Sequence, residues 1–196
     1  HTIGRRQRQM CIRDSLRNDK VNILEKYNLG KLQSILSTGS PLISESFEYV
    51  YEFIKKDIHL ASISGGTDIV SCFVGGNPML PVYSGEIQSK CLGVDVDVFD
   101  EKGQGSLQKG ELVCKSPLPS MPIGFWDDLN KEKYIKSYFS KFKNVWTQGD
   151  YAKISQNNGI VIYGRSDSTL NPGGIRIGTA EIYRSVEQID EIVESI

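Results

Sequence analysis

The residues that point most directly to chemistry form a charged, glycine-rich stretch over 163–183. Arg165 and Asp167 follow an apolar run, and Pro172-Gly173-Gly174 comes a few residues later. A Pro-Gly-Gly segment cannot continue a helix, and its backbone N–H groups can approach a ligand closely. Arg176 adds a fixed positive charge suited to phosphate or carboxylate. The stretch therefore predicts a loop that binds an anionic ligand, with a glycine-rich hairpin and a surface ion pair as the simpler alternative.

A second group of small and polar residues, 64–68, follows an apolar run that predicts a buried strand over 58–63. Ligands of open α/β sheets lie outside the carboxyl ends of strands, so this loop is a candidate site. His59 lies inside the strand, where a packed or surface imidazole is favoured over a catalytic base. Asp95 and Asp97 alternate with apolar residues, which predicts a solvent-facing pair rather than a metal site.

Periodicity and turn residues predict the elements that must position these groups. Ser40 as N-cap and Pro41 as first helical residue predict a helix over 41–56. Asn158-Gly159 predicts a hairpin turn before a strand at 160–163, and Thr179 predicts a helix start. The other predicted elements are strands at 31–36, 91–99 and 110–115 and a lysine-rich helix within 131–143, whose lysines fit a solvated face.

Composition excludes several classes of function. The 196 residues carry a net charge of −1, and no run reaches the roughly 18 apolar residues of a membrane span, so we expect neither a nucleic-acid nor a membrane partner. Four scattered cysteines indicate reduced thiols and hence a cytoplasmic protein. Walker-type loops, nucleophile elbows and His-Glu-x-x-His motifs are absent from the sequence, and with two histidines Ser-His-Asp catalysis is disfavoured.

Both ends of the sequence differ from a complete domain. Residues 1–15 are arginine-rich and match nothing after them, so we interpret them as a non-native leader. Residues 191–196 stop inside an apolar-periodic segment. We therefore expect a piece of a longer protein.

Five motifs occur in a characteristic order: T-G-S-P at 38–41, G-G-T-D at 65–68, G-E-L at 110–112, W-T-Q-G-D at 146–150, and Y-G-R-S-D with P-G-G-x-R within 163–176. Together they resemble the core motifs of the acyl-adenylate-forming superfamily of AMP-binding enzymes over about residues 30–196. The text between them, notably 64–78, 119–126 and 168–183, is similar to the branch of its acid–thiol ligases that activates acetoacetate.

This resemblance implies a reaction in two steps. Acetoacetate attacks the α-phosphate of ATP, with Mg²⁺ present, to give an acyl-adenylate and pyrophosphate. The thiol of CoA then displaces AMP to give the thioester. Phosphoryl oxygens need positive charge and preorganised N–H donors where charge is redistributed, which agrees with the residue types in the motifs.

The resemblance also implies roles for individual residues. The implied ATP-binding residues are Gly39, Ser40, Pro41, Gly66, Thr67, Asp150, Arg165 and Arg176. Within this set the first three would line the adenine pocket, and Thr67 would contact the α-phosphate. Asp150 would bind the ribose hydroxyls beside Arg165, and Arg176 would meet the ATP phosphates.

Three further roles are implied outside the ATP-binding set. Asp68 would hold Mg²⁺. Asp167 would be the hinge about which a small C-terminal domain swings between the two steps. Gly173 and Gly174 would flank the path of the CoA thiol. Asp167 lies between a strand and a glycine-rich loop, and a hinge needs only a few such residues that absorb changes in φ and ψ.

The fold that the resemblance implies is α/β. Residues 16–166 would be the C-terminal portion of the AMP-binding domain, with a β-rich subdomain over about 85–165. Residues 167–196 would be the hinge and the start of a small α+β C-terminal domain.

The sequence departs from the superfamily in ways that limit this expectation. Asp68 stands where the superfamily usually has a glutamate, and Ser168 stands where it often has a second acidic residue. Ser40 stands where an alanine or a glutamate is common. The upstream phosphate loop and the late catalytic lysine of the superfamily are absent, so we expect the chain alone to be inactive. Two alternatives remain open: a ligase for another short-chain acid, and a non-catalytic nucleotide-binding α/β module. The sequence leaves the oligomeric state undetermined.

Overall fold

The computed structural model describes residues 22–168, 170, 177–186 and 189. The elements are α1 (Ile23–Lys26), β1 (Ser34–Ser37), α2 (Ser44–Tyr49), β2 (His59–Ser62), β3 (Ser64–Gly66), β4 (Ser71–Gly75), β5 (Ser89–Lys90), β6 (Val96–Phe99), β7 (Gly110–Cys114), α3 (Glu132–Tyr138), β8 (Trp146–Ile154), β9 (Ile160–Arg165) and α4 (Thr179–Val186). A π-helical turn, Val50–Ile54, continues α2, and a 3-10 turn, Ser166–Ser168, follows β9. The architecture is mixed α/β, and the predicted leader lies outside the described residues.

The first layer is a parallel pair of strands covered by α2. β1 and β2 pair in register, with Leu36 opposite Ala61. Leu60 of β2 and Phe47 of α2 are almost fully buried in one apolar cluster. Burying one such side chain contributes about 2 kcal/mol, so this cluster holds the helix against the strands.

Two antiparallel sheets follow. The smaller has the strand order β3-β4-β5, and the larger has the order β6-β7-β8-β9. Ile87 and Ile160 exchange two backbone hydrogen bonds of 2.8 Å and so connect the β5 side of the smaller sheet to β9. One core of buried residues, including Ile69, Phe73 and Val98, runs under both sheets.

An aromatic group packs α3 onto β8. The ring of Tyr138 stacks on the ring of Trp146 with 3.6 Å between centroids, and Phe139 meets the same indole edge-on. Tyr134 and Phe125 extend the group. Because Trp146 lies in the strand that carries W-T-Q-G-D, this packing fixes the position of that motif.

The predicted helix over 41–56 is wrong at its start. The helix begins at Ser44 after Ile43 in extended conformation, so Ser40 is not its N-cap and Pro41 is not its first residue. Leu42 and Ile43 are buried, and an extended segment carries their side chains into the core before the helix starts. The residues before them are thereby left to line a pocket.

The predicted strand over 91–99 is confirmed only in its second half. Gly93 has a φ of 74°, and Val94 N–H donates to the carbonyl of Cys91, so the segment begins as a turn. Within β6 the alternation holds, since Val96 and Val98 are buried while Asp97 is partly exposed. Asp95 and Asp97 both pair with Lys115 at the surface, at 3.3 and 3.2 Å.

Other predicted elements agree with the structure. Asn158, with a φ of 60°, forms the hairpin turn between β8 and β9, and a helix starts at Thr179. The lysine-rich helix is shorter than predicted, because it ends at Tyr138. His59 is a packed imidazole, since its Nε2 lies 2.7 Å from Oε1 of the buried Gln88.

Among the described cysteines, Cys72, Cys91 and Cys114 are free thiols. In the part of the chain that the structure describes, no helix is both long enough and apolar enough to cross a membrane.

Candidate active site

One pocket of about 320 Å³ gathers most of the predicted site residues. Eight of them line it: Gly39, Ser40, Pro41, Gly66, Thr67, Asp68, Asp150 and Arg165. They come from the segment before α2, the β3 loop, and the facing strands β8 and β9. Segments more than a hundred positions apart in sequence therefore line one pocket.

Asp150 and Arg165 face each other in register across β8 and β9. Arg165 Nη1 lies 3.3 Å from Asp150 Oδ1 and also donates to the carbonyl of Gln148 at 2.8 Å. The carboxylate is 12% exposed and the guanidinium 49% exposed. Asp150 is thus largely buried in the lining of the pocket, and the more exposed Arg165 covers one side of its carboxylate.

Gly149 makes room for this pair. Its φ is 80°, and a Cβ there would lie 2.3 Å from Nη2 of Arg165. A side chain at this position would both strain the backbone and displace the guanidinium. The contact with Arg165, 16 residues later in the chain, therefore explains why the W-T-Q-G-D motif has a glycine at position 149.

Burial raises the pKa of Asp150 to about 6. The nearby Arg165 and a hydrogen bond from Ser64, at 3.4 Å, lower it, while the charge of Glu111 raises it further. Desolvation disfavours the charged form and here exceeds the effect of the single cation. Arg165 and Ser64 thus compensate the buried carboxylate only in part, and its oxygens can accept further hydrogen bonds from a ligand that carries hydroxyl groups.

Gln148 is a pocket residue that sequence reasoning missed. Its Oε1 accepts a 3.0 Å hydrogen bond from Trp146 Nε1, and its Nε2 lies 3.5 Å from the carbonyl of Gly65. A Cβ on Gly66 would lie 2.8 Å from the Gln148 amide, so only glycine allows this close approach. Its place inside the W-T-Q-G-D motif was the available signal.

Asp68 accepts a hydrogen bond from the hydroxyl of Tyr138. Within the described residues, no cluster of three His, Cys, Asp or Glu side chains has the arrangement of a metal site. Mg²⁺ at nucleotide sites commonly uses one or two carboxylates and takes its remaining ligands from phosphates and water. A single carboxylate at the pocket edge fits that pattern.

Asp167 lies outside this pocket, in an adjoining cavity of about 460 Å³ that shares Asp68, Gln148 and Arg165 with it. Its carboxylate is 3.5 Å from Arg165 Nε and is largely exposed. Arg165 thus bridges the two carboxylates that flank it in space. Gly173, Gly174 and Arg176 lie outside the described residues. The described residues on either side of them, Leu170 and Ile177, exchange two backbone hydrogen bonds.

Glu111 is a second residue whose importance the sequence did not reveal. Its side chain is 1% exposed, yet it pairs with Lys141 Nζ at 2.5 Å and accepts a 2.9 Å hydrogen bond from Ser166. Lys141 is exposed, as predicted for the lysines of 131–143, but the prediction did not include its pairing with a buried carboxylate. The G-E-L motif was the signal, but spacing alone cannot reveal the cation that compensates a buried glutamate.

No family model matches the chain, but several known proteins are similar to it. The acetoacetyl-coenzyme A synthetase of Rhizobium meliloti (strain 1021) is 54% identical over 184 residues, which are 93% of this chain and 28% of that protein. The acetoacetyl-CoA synthetase of Mus musculus is 53% identical over 175 residues, 88% of this chain and 26% of that protein.

Solved structures give the same result. The acetoacetyl-CoA synthetase from Streptomyces lividans has a TM-score of 0.83 at 40% identity and covers 93% of this chain and 28% of its own. An anthranilate CoA ligase in complex with anthranoyl-AMP has a TM-score of 0.73 at 17% identity, which shows a shared fold, over 90% of this chain and 33% of its own. The chain thus spans about a quarter of the length of its curated relatives. Over most of its own length, the chain is a homologue of acetoacetyl-CoA synthetases.

Proposed function

We propose that this chain supplies the nucleotide pocket of an ATP-dependent ligase that activates acetoacetate as an acyl-adenylate and transfers it to CoA. The products would be acetoacetyl-CoA, AMP and pyrophosphate. The observation that carries the proposal is the convergence of eight predicted residues on one pocket. Similarity of more than half the positions to acetoacetyl-CoA synthetases supports acetoacetate over other acids.

The nucleoside would lie between two walls of the pocket. Gly39, Ser40 and Pro41 form one wall and would receive the adenine. Asp150 on the other wall would accept hydrogen bonds from the ribose hydroxyls, with Arg165 beside it. Because the ribose would provide further hydrogen-bond donors to the buried carboxylate, binding would offset part of its desolvation.

The phosphates would lie toward the β3 loop. Thr67 follows Gly66 at the pocket edge and would contact the α-phosphate, where negative charge is redistributed during adenylation. Asp68 would hold Mg²⁺ together with phosphate oxygens and water. When bound, the ion would neutralise phosphate charge.

The segment after β9 would act in both half-reactions. We propose that Asp167 is the hinge, that Arg176 meets ATP phosphates in the first step, and that Gly173 and Gly174 flank the CoA thiol in the second. On this view residues 16–166 belong to the AMP-binding domain, and 167–196 begin the C-terminal domain. The reduced thiols and the use of CoA agree with a cytoplasmic location.

AMP binding to this chain tests the nucleotide pocket. We expect AMP to bind about tenfold more tightly than its 2′,3′-dideoxy analogue, because only AMP offers hydroxyl donors to Asp150. Asp150→Asn should lose most of that preference. Equal affinity for both ligands, measured by NMR titration, would exclude the proposed ribose contact.

The acid is tested by ATP–pyrophosphate exchange in a protein of the relatives' full length that includes this chain. Exchange that is strongest with acetoacetate, compared with butyrate and acetate, would support the proposal. Exchange that is strongest with another acid would keep adenylation and replace the substrate. Absence of exchange with every acid in a folded protein would favour a non-catalytic nucleotide-binding module.

A further inference from the structure

Lys109 immediately precedes β7 and Glu111 is the second residue of that strand, so the two charged side chains lie two positions apart where the strand begins. Gly110 separates them, and a Cβ there would lie 2.2 Å from the carbonyl oxygen of Phe99. The segment is therefore fixed closely against β6, and both charged side chains start from a rigid base.

Glu111 holds the chain just before Asp167. Its carboxylate accepts a 2.9 Å hydrogen bond from the hydroxyl of Ser166, the residue that precedes Asp167. Lys141 pairs with the other carboxylate oxygen at 2.5 Å. Because Glu111 is fully buried, removing its partners would leave an uncompensated charge, and we regard this contact as permanent.

Lys109 holds the chain after Asp167. Its Nζ pairs with Glu181 in α4 and lies 4.2 Å from the centre of the Tyr163 ring. The other oxygen of Glu181 accepts a 3.0 Å hydrogen bond from the backbone N–H of Gly178. A Cβ on Gly178 would lie 2.2 Å from the carbonyl oxygen of Tyr163, so the start of this helix sits directly against β9.

We propose that Lys109 and Glu111 are positioning residues that together set the orientation of the chain on either side of Asp167. Glu111 fixes the upstream side through Ser166, and Lys109 fixes the downstream side through Glu181. The inference deepens the proposed function, because it rests on Asp167 being the hinge.

The two contacts differ in how readily they open. Lys109 and Glu181 are 34% and 28% exposed, so water can replace each partner, whereas water has little access to Glu111. Exposed ion pairs contribute little and exchange readily with solvent. Lys109 is therefore suited to release α4 when the downstream segment turns, while Glu111 keeps the start of the turn in place.

Amide hydrogen exchange on the 196-residue chain tests this assignment without any ligand. We expect Lys109→Met to speed exchange in α4 about two- to fivefold and to leave β8 and β9 unchanged, since one partly exposed contact is lost. Lys109→Arg keeps the charge and the position over the Tyr163 ring, so it should restore wild-type exchange. Glu111→Gln should speed exchange at Ser166–Ser168 instead.

Lys115→Met is the matched control. Lys115 follows the same strand, has similar exposure and pairs with Asp95 and Asp97, away from α4. It should leave exchange in α4 at the wild-type rate. Unchanged exchange in Lys109→Met, or the same exchange pattern in the Lys109 and Glu111 variants, would overturn the proposal. The readout uses no nucleotide, so its failure is distinguishable from failure of AMP binding.

Discussion

The hydroxyl of Tyr138 donates a hydrogen bond to Asp68 while the ring of the same tyrosine stacks on Trp146. The aromatic core under β8 is thereby connected to a carboxylate at the edge of the pocket. Burial, with the added charge of Asp68, raises the pKa of Tyr138 above its ordinary value. The hydroxyl accordingly stays protonated, and able to donate, around neutral pH.

Tyr138→Phe isolates that hydrogen bond. The substitution keeps the stacked ring and removes a donor to a charged acceptor, which we expect to lower the free energy of unfolding by about 1–2 kcal/mol. Tyr138→Ala should cost more, because it also removes the ring from the aromatic group. Urea denaturation measures both values, and a Tyr138→Phe variant as stable as wild type would show that the hydrogen bond contributes nothing to stability.

Asp150→Asn tests the buried carboxylate through the pH dependence of stability. The folded-state pKa of about 6 lies above the ordinary 3.8, so the folded chain binds more protons than the unfolded chain between these values. Stability must therefore fall as pH rises from about 4 to 6. The asparagine variant should lack this fall and be about 3 kcal/mol more stable than wild type at pH 7, with little difference near pH 3.5.

Asp57→Asn is the control for that measurement, because Asp57 is largely exposed and pairs only distantly with Lys55, at 3.8 Å. Its unfolding free energy should follow the wild-type pH profile. A fall in the Asp150→Asn variant as steep as in wild type would contradict the assignment of this pH dependence to Asp150. Since the same variant is expected to lose the preference for ribose hydroxyls, stability and binding should change in opposite directions.

Gly149→Ala should disturb Arg165. Alanine at a φ of 80° carries a backbone cost of about 1 kcal/mol, and its Cβ would also displace the guanidinium. We expect loss of stability together with at least about a fivefold loss of AMP affinity, if Arg165 lies beside the ribose.

Gly93→Ala separates these two effects. Gly93 has a similar φ of 74°, but nothing lies within 4 Å of the position of its Cβ. This variant should lose stability only through its strained backbone and should bind AMP as wild type does. If both alanine variants bound AMP equally well, the close contact at Gly149 would have no bearing on the pocket.

Lys141→Met should destabilise the chain by about 1–3 kcal/mol, because it leaves Glu111 buried with one donor in place of two. Replacing both residues, with Glu111→Leu and Lys141→Met, should restore part of that loss. A double-mutant cycle by chemical denaturation gives the coupling. Additive losses in the double variant would show that the two side chains do not depend on each other.

The sequence predicted the pocket better than the boundaries of the elements around it. Motifs mark positions where chemistry restricts residue type, so Gly39, Asp150 and Arg165 could be grouped although they are far apart in the chain. The start of α2 was misplaced, because Ser40-Pro41 fits a local helix signal that the burial of Leu42 and Ile43 overrides. Local propensity cannot show which side chains the core will take.

Contacts between side chains that are far apart in the chain could not be predicted from the sequence either. Nothing in the spacing connects Glu111 to Lys141 and Ser166, or Lys109 to Glu181, since each pair is brought together by strand pairing and turns. Gln148 was missed for a different reason. Its side chain is uncharged, and its hydrogen bonds to Trp146 and Gly65 become visible only in the structure. The roles of Gly173, Gly174 and Arg176 stay predictions.

The hydrogen bond from Trp146 to Gln148 gives the pocket an optical signal. The chain has two tryptophans: Trp146 is 1% exposed and bonded to a pocket side chain, whereas Trp126 is 98% exposed. Iodide should quench the red-shifted emission of Trp126 and leave the blue-shifted emission of Trp146. The remaining fluorescence would report the occupancy of the pocket in the unlabelled protein.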